Sequence, residues 1–258
     1  MQSSIDRETF QLVRLDVSGS FNSFRIPSGI KYHRTFYVPT KTTLIGLLGS
    51  ALGFEDSALG PLFQSVRTNA ILEGYSGLAT DLWLIAKLKT QGQPESSPII
   101  REMIFEPRYS IYYSIENSSA TPHNDSNIVL DDIINAFNDP VFALSLGRSD
   151  EMIQVRQVAK IDVQKQSPDN DGDYYFRNTI LPFNYNDHFE KYDVLPLRKG
   201  QTFSLPQVIS IPTYFAIEDG FVRRPMHYKQ VTLVYDRGVK IKNREDVLID
   251  GEKRFFLY

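Results

Sequence analysis

The most informative stretch of the chain runs from Phe21 to Gly53 and reads FNSFRIPSGIKYHRTFYVPTKTTLIGLLGSALG. Its second part, after Pro39, spaces apolar residues at i, i+3, i+4, i+7 and i+8, as on the buried face of a helix. The residues on that face are Leu44, Leu47, Leu48, Ala51 and Leu52. Gly53 follows at the position where helices commonly end in the left-handed conformation. The stretch therefore predicts a helix that packs on a core, preceded by an irregular segment.

The first part of this stretch mixes cations with aromatic rings. No acidic residue occurs between Asp16 and Glu55, whereas several Lys and Arg residues do. Cations neutralise phosphates, aromatic faces stack on unpaired bases, and a helix start offers free N–H groups to a phosphate. We therefore expect RNA contacts here; the alternative is that the rings are core and the cations are solvated. The candidates are Phe24, Arg25, Lys31, Tyr32, His33, Arg34, Lys41 and Thr42.

A second basic segment lies near the end of the chain. Between Phe221 and Arg244 there are seven Lys and Arg residues and one acid, although the net charge of the whole chain is −3. Basic segments in a near-neutral chain are typical of a protein with one polyanion-facing surface. Arg223, Arg224 and Lys229 are possible contacts with nucleic acid or a partner protein, and a solvated hairpin explains them equally well.

Composition excludes several kinds of site. The chain has no cysteine, and therefore no disulfide, thiolate nucleophile or cysteine-ligated metal. The Asp169–Asp173 run has its glycine too early for a calcium loop, and the four histidines are too scattered for a zinc pair. We expect no metal and no cofactor. No apolar run reaches the ~20 residues of a membrane span, and the first residues are not typical of a signal peptide, so a cytoplasmic protein is expected.

The remaining pattern indicates an α+β protein. The order strand, helix, strand, strand, helix, strand over residues 1–150 is typical of a ferredoxin-like or RNA-recognition (RRM-type) domain. Residues 151–258 are expected to form a β-rich C-terminal extension, with a boundary near Gly147. The predicted strands are Thr9–Val17, Asp81–Lys89, Ile99–Ile115 with a bend at Pro107, Ile153–Val163, Tyr174–Leu181, Phe203–Ile211 and Val231–Tyr235. A short helix around Ser57–Val66 and an amphipathic helix around Val129–Phe137 are also predicted. Trp83, Phe105 and Phe142 are predicted to be core.

Three sequence blocks follow one another between residues 19 and 151. The first is GSFNSFR, then a loop, then TFYVPTKTTLIGLLGSALG. The second is IIREMIFEPRYSIYY, Ile99 to Tyr113, and the third is PVFALSLGRSDE, Pro140 to Glu151. Together they resemble the fifth family of CRISPR-associated proteins, which belongs to the RAMP superfamily. The part of the chain after the third block carries no such resemblance.

The resemblance implies a fold and a role. Family members have a ferredoxin-like domain with a protruding β-hairpin thumb, expected here at about residues 87–100, and a variable C-terminal part. In type I Cascade they bind the 5′ handle of the CRISPR RNA (crRNA) and its first spacer nucleotides. They cap the filament of backbone subunits and contact the large subunit, near target DNA at the protospacer-adjacent motif. The resemblance adds Arg101, Arg108 and Arg148 to the expected RNA contacts.

Catalysis is the point on which the family divides. One branch, in type I-C systems, cleaves precursor crRNA without metal through Tyr, Lys and His side chains, which supply the proton transfers that the reaction needs. Lys31, Tyr32 and His33 are such residues, yet neighbours in one strand need not converge. The Lys-His pair that follows the thumb in the cleaving branch is replaced here by Arg101-Glu102. We therefore expect a non-catalytic crRNA-binding subunit of a type I-B-like system. A metal-independent endoribonuclease and a generic single-stranded RNA-binding module are the alternatives.

Overall fold

The chain is mostly β-sheet with few helices, as seen in a computed structural model that describes residues 9–27, 29, 31–88, 94–116, 128–165, 175–193, 204–218, 222–242 and 246–258. The helices are α1 (Lys41–Leu52), α2 (Gly60–Ser65) and α3 (Leu130–Asn138), with 3-10 turns at Asp56–Leu59 and Tyr185–Asp187. The strands are β1 (Thr9–Gly19), β2 (Phe21–Asn22), β3 (Phe24–Arg25), β4 (Tyr32–His33), β5 (Thr35–Phe36), β6 (Val66–Gly74), β7 (Gly77–Leu88), β8 (Pro94–Phe105), β9 (Arg108–Ile115), β10 (Ile153–Lys165), β11 (Thr179–Leu181), β12 (Phe189–Tyr192), β13 (Gln207–Glu218), β14 (Val222–Val234), β15 (Val239–Ile241), β16 (Leu248–Asp250) and β17 (Lys253–Phe255). None of the described helices is long and apolar enough to cross a membrane.

One nine-stranded antiparallel sheet organises the fold, in the order β13-β14-β11-β6-β9-β1-β10-β16-β17. Strands that precede and follow residue 150 belong to the same sheet, because β10 pairs with β1 along its length and β11 pairs with β6. The division of the chain into two domains near this residue stays a prediction.

The main core lies where helices α1 and α3 pack on the sheet. Val13, Leu15 and Val17 alternate along β1 and are all buried in this core, as their period-2 spacing predicts. The predicted face of α1 is also largely buried, with Leu52 at its margin. Gly53 ends α1 in the left-handed conformation, with φ of 76°, which a residue without Cβ adopts without strain. The sequence therefore predicts this layer correctly.

A long hairpin of β7 and β8 stands apart from the large sheet. Its strands pair in register from Gly77 and Phe105 to Leu88 and Pro94, and twelve residues per strand correspond to a length of about 40 Å. Near its base β8 also pairs with β2 and, in parallel, with β4. Residues 89–93, which belong to the predicted thumb, lie outside the described residues. The pairing begins at Gly77, before the predicted strand start at Asp81.

Several other predictions are wrong in their details. Trp83 is only partly buried, and Phe105 and Phe142 are exposed, with Phe142 at 51%. Phe105 packs on the surface against Phe21, 5.1 Å between ring centroids, because the two residues are direct partners in the pairing of β2 with β8. The predicted strand Tyr174–Leu181 begins only at Thr179 in the described residues. A second long hairpin, formed by β13 and β14, contains the greater part of each of the predicted strands Phe203–Ile211 and Val231–Tyr235.

Candidate nucleic-acid interface

A cleft of about 300 Å³ lies between the base of the β7–β8 hairpin and the segment that follows β1. We call it the cationic cleft. Its charged and aromatic lining includes Arg25, His33, Arg34, Trp83, Arg101, Glu102 and Arg148. Five of the residues predicted from the sequence to contact RNA therefore supply polar lining to one cavity, although they come from three separate parts of the chain.

The local pairing of β3 with β5 explains which side chains reach the cavity from the first segment. Phe24 pairs with Phe36 and Arg25 with Thr35, so the side chains of Phe24 and Arg25 point to opposite faces of β3. Phe24 is only 4% exposed and packs edge-on against Tyr109 at 6.0 Å, whereas Arg25 is exposed. The structure thus places the Phe24 side chain in the core, with its edge at the cleft wall, while the Arg25 side chain is on the surface.

Trp83 carries the aromatic part of the cationic cleft. The guanidinium carbons of Arg148 and Arg101 lie 3.7 Å and 4.1 Å from its ring centroid, a cation–π arrangement that holds both arginines against the indole. The indole N–H donates a hydrogen bond to the Asp81 carboxylate. Sequence reasoning assigned Trp83 to the core because a strand pattern does not reveal which face of a two-stranded hairpin is covered.

Glu151 is the buried carboxylate that joins the three chain segments. It is 4% exposed, and its oxygens accept hydrogen bonds from the Ser23 backbone N–H at 2.7 Å and the Ser23 hydroxyl at 2.5 Å. It also accepts from the Arg148 backbone N–H at 3.0 Å and from Nη1 of Arg101 at 3.3 Å. Gly147 adjoins it with φ of 115°, and a Cβ there would lie 2.2 Å from Oε2 of Glu151. The turn at residues 147–151 is therefore fixed by one carboxylate that the sequence does not single out.

The cationic cleft contains more negative charge than the sequence indicates. Two of its arginines are paired with acids: Arg101 pairs with Asp81 at 3.5 Å as well as with Glu151, and Arg148 pairs with Asp150 at 3.2 Å. By contrast, in the described part of the chain no carboxylate lies within 4 Å of the guanidinium groups of Arg25 and Arg34. Both of these side chains are exposed. They are the cations that the cleft leaves open to a phosphate.

The other predicted contacts lie outside the cationic cleft. Lys31 and Tyr32 are exposed but do not line it, and Tyr32 neighbours His33 in β4, where consecutive side chains point to opposite faces. Arg108 lines a different cavity near Ser18 and Arg156. Lys41 is buried at the start of α1, and Thr42 lines a second cavity that shares a wall with the cationic cleft.

The three candidates of the C-terminal basic segment lie on β14. Arg223 forms a two-contact pair with Asp56, at 2.8 Å and 2.6 Å, and Arg224 pairs with Glu218 at 2.9 Å. Lys229 is exposed on the same strand. Arg223 and Arg224 are thus balanced by carboxylates of the chain itself, and exposed pairs of this kind contribute at most about 1 kcal/mol to stability.

Burial, with a smaller contribution from the positive charges of Arg67 and Lys229, lowers the pKa of Lys41 from 10.5 to about 8. Between these two values the unfolded chain retains a proton that the folded chain has released. The free energy of unfolding therefore rises with pH in this range, by at most about 1.4 kcal/mol per pH unit.

Urea unfolding of the wild type and of Lys41→Met between about pH 7.5 and 9.5 measures this effect. The free energy of unfolding of the wild type should increase relative to that of Lys41→Met as pH rises, because only the wild type carries the titrating amine. A difference in unfolding free energy that stays constant with pH would contradict the buried position of Lys41.

Three of the four histidines lie in the part of the chain that the structure describes. Among the described residues, no three His, Asp or Glu side chains are grouped so that they could hold a metal ion. His33 lines the cationic cleft, His188 packs against Phe183 at 5.0 Å, and His227 packs against Tyr214 at 5.4 Å. His123 and the Asp169–Asp173 run lie outside the described residues.

Comparison with known proteins places the chain in a family. The family model described as "CRISPR-associated protein (Cas_Cas5)" matches residues 12–210, most of the chain. The protein therefore belongs to the Cas5 family of CRISPR-associated proteins, as the three sequence blocks predict. No curated protein sequence matches it.

Solved structures include similar folds. A chain of a "CRISPR RNA-guided surveillance complex" superposes with a TM-score of 0.52, at 12% identity, over 89% of this chain and 91% of that chain. A chain of the Type III-B Cmr-beta complex, bound to cognate target RNA and AMPPnP, gives a TM-score of 0.45 at 11% identity, over 89% and 86%. The first likeness shows that the fold occurs in a chain of an RNA-guided complex.

Proposed function

We propose that this protein is a non-catalytic crRNA-binding subunit of a type I Cascade complex and that it grips the 5′ handle of the guide. The observation that carries the proposal is the cationic cleft, where Arg25 and Arg34 are exposed beside the Trp83–Arg148 stack and are not paired with any acid of the described residues. Membership of the Cas5 family and the fold shared with a chain of an RNA-guided surveillance complex support it.

The chemistry of the cleft suits a single RNA strand. Exposed guanidinium groups bind phosphate oxygens through two parallel N–H donors, which positions a backbone without reading its bases. Stacking on Trp83 orients Arg148 and, since only its Nε donates to Asp150, leaves its terminal N–H groups for a phosphate. Acids beside Arg101 and Arg148 limit the net attraction, so affinity would depend most on Arg25 and Arg34.

We infer that the central part of the large sheet is a ferredoxin-like (RAMP) core. The order β6-β9-β1-β10, with α1 and α2 between β1 and β6 and α3 between β9 and β10, supports this inference. We further infer that the β7–β8 hairpin is the thumb. Its length and the Trp83 and Arg101 side chains that it contributes to the cleft support a position over the guide.

A Cascade subunit has protein partners. The backbone subunits and the large subunit of Cascade would contact the chain, which would cap the backbone filament in the cytoplasm, near target DNA at the protospacer-adjacent motif. Coexpression of the chain with backbone subunits and a repeat–spacer transcript, followed by sequencing of the bound RNA, tests this proposal. The expected product is one complex that retains a mature guide with an intact 5′ handle. A chain that elutes alone and binds unrelated single strands equally well would favour the generic RNA-binding module.

A metal-independent endoribonuclease is the second candidate, because His33 lines a cavity that also holds cations. Against it, Tyr32 and Lys31, the other two residues of the expected Tyr, Lys and His set, do not line that cavity. Incubation of the chain alone with a repeat hairpin in EDTA should leave the RNA intact. A specific cut that His33→Ala abolishes would overturn the non-catalytic assignment.

A further inference from the structure

A second cleft, of about 660 Å³, lies next to the cationic cleft. The two cavities share Phe24, Arg25 and Thr43 in their linings, so that they meet at the exposed Arg25 side chain. The second cleft is bounded on one side by the start of α1 and on the other by the β13–β14 hairpin. Its volume lies within the range of about 300–1,000 Å³ that is usual for ligand sites.

The β13–β14 hairpin is anchored rather than loosely placed over α1. Ile211, Val231 and Leu233 bury their side chains in the main core. Further out, Tyr214 packs edge-on against Phe63 of α2 at 5.3 Å, and the Arg223–Asp56 pair ties β14 to the 3-10 turn after α1. The wall that the hairpin contributes is therefore preformed.

Tyr228 is the exposed aromatic residue of β14 at the second cleft, where it lines the cavity together with Pro225. It is 62% exposed. His227, which precedes it, has φ of 52°, in the left-handed region, which is unusual for a residue with a side chain. Tyr228 is therefore open to a ligand that enters the cavity.

The lining of the second cleft differs in chemistry from that of the cationic cleft. Among the described residues that line it there is no acid, and Arg25 is the one cation. Rings line the hairpin wall, from Pro212, Phe215, Pro225 and Tyr228, and hydroxyl-bearing residues line both sides, Ser210 on the hairpin and Thr42 and Thr43 on α1. A flat aromatic and proline surface with a few hydroxyls suits an unpaired nucleobase, which stacks by its faces and forms hydrogen bonds at its edge.

We propose that the second cleft binds an unpaired base of the same RNA strand whose phosphates lie on Arg25, and that the Tyr228 ring stacks on that base. The inference rests on the proposed function and adds a base site to it. Because Arg25 lines both cavities, an RNA strand that leaves the cationic cleft enters the second cleft directly. This favours RNA over a peptide that would pack on the proline and aromatic rings. The β13–β14 hairpin would thus contact RNA through Tyr228 and not through Arg223 and Arg224, which are paired with acids.

Affinity for a fluorescein-labelled oligouridylate of about 12 nucleotides tests the proposal on the full chain. Tyr228→Ala should bind about tenfold more weakly, a loss of about 1.4 kcal/mol, because it removes the ring on which the base stacks. Tyr228→Phe should bind as the wild type does. Met226→Ala is the matched control: this side chain is 39% exposed on the same strand but outside the second cleft. Equal affinities of Tyr228→Ala and Met226→Ala would overturn the proposal.

Photo-cross-linking separates this inference from the proposed function. The same oligonucleotide with 5-iodouridine in place of uridine forms adducts with aromatic side chains that lie against the base, and mass spectrometry locates them. An adduct at Tyr228 or Phe215 is expected. No adduct at either ring, with binding that still depends on Arg25 and Arg34, would overturn the second base site and leave the assignment of the cationic cleft intact. No adduct together with an affinity unchanged in Arg25→Glu/Arg34→Glu would overturn both, and an adduct at Tyr228 only with the DNA version would exclude RNA as the occupant.

Discussion

Charge reversal of Arg25 and Arg34 should abolish retention of the guide RNA by the coexpressed complex. Both guanidinium groups are exposed in the cationic cleft and neither has a carboxylate within 4 Å in the described residues, so their charge is available to phosphates. Removal of two charge-assisted hydrogen-bonding groups, each contributing about 1.5–3 kcal/mol, weakens binding by about 100-fold or more, and the added carboxylates repel the strand.

The measurement is the amount of RNA that copurifies with Arg25→Glu/Arg34→Glu, together with the salt dependence of binding to a synthetic handle. For a single strand, the slope of log K against log salt becomes shallower by about 0.7 for each phosphate that the protein no longer neutralises. Arg156→Glu/Lys160→Glu is the matched control, because it makes the same change in net charge at positions of β10 that line neither cleft. Equal RNA retention by the two double variants would refute the assignment of the cationic cleft.

The parts of this structure that the sequence predicts well are those set by local periodicity. The buried face of α1, its end at Gly53 and the alternation of Val13, Leu15 and Val17 depend on residues within a few positions of one another. The basic segment around Arg25 is also a local feature of the sequence, and its Arg25 and Arg34 side chains are exposed. Short-range spacing carries this information because helices and strands repeat with periods of 3.6 and 2 residues.

The parts that the sequence does not predict are pairings between distant residues. Glu151 meets Ser23 across 128 positions and Arg101 across 50, and nothing in the spacing of either segment indicates those contacts. The burial of Trp83, Phe105 and Phe142 was predicted wrongly for a related reason: apolar character indicates a strand or a turn but not whether a second layer covers it. A two-stranded hairpin leaves one face open, which a pattern of alternating residues cannot distinguish from a covered face.

Glu151→Ala should be the most destabilising single substitution in the cleft. It removes the acceptor of the Ser23 N–H, the Ser23 hydroxyl and the Arg148 N–H, and it leaves the buried guanidinium of Arg101 with Asp81 alone. Removing one partner of a buried, hydrogen-bonded charge pair costs about 3–5 kcal/mol. Because proteins are stable by only about 5–15 kcal/mol, the urea midpoint should fall by a large fraction.

A double-mutant cycle with Arg101→Met shows whether the destabilisation comes from the unpaired charge. If Arg101 is stranded in Glu151→Ala, then Glu151→Ala/Arg101→Met should be destabilised by clearly less than the sum of the two single variants. Glu151→Gln should cost less than Glu151→Ala, since an amide oxygen still accepts from the Ser23 and Arg148 N–H groups. RNA affinity should fall further in Glu151→Ala than in Glu151→Gln, because the turn that presents Arg148 to the strand depends on these acceptors. Additive single variants, or a Glu151→Ala protein as stable as the wild type, would show that this carboxylate does not organise the cleft.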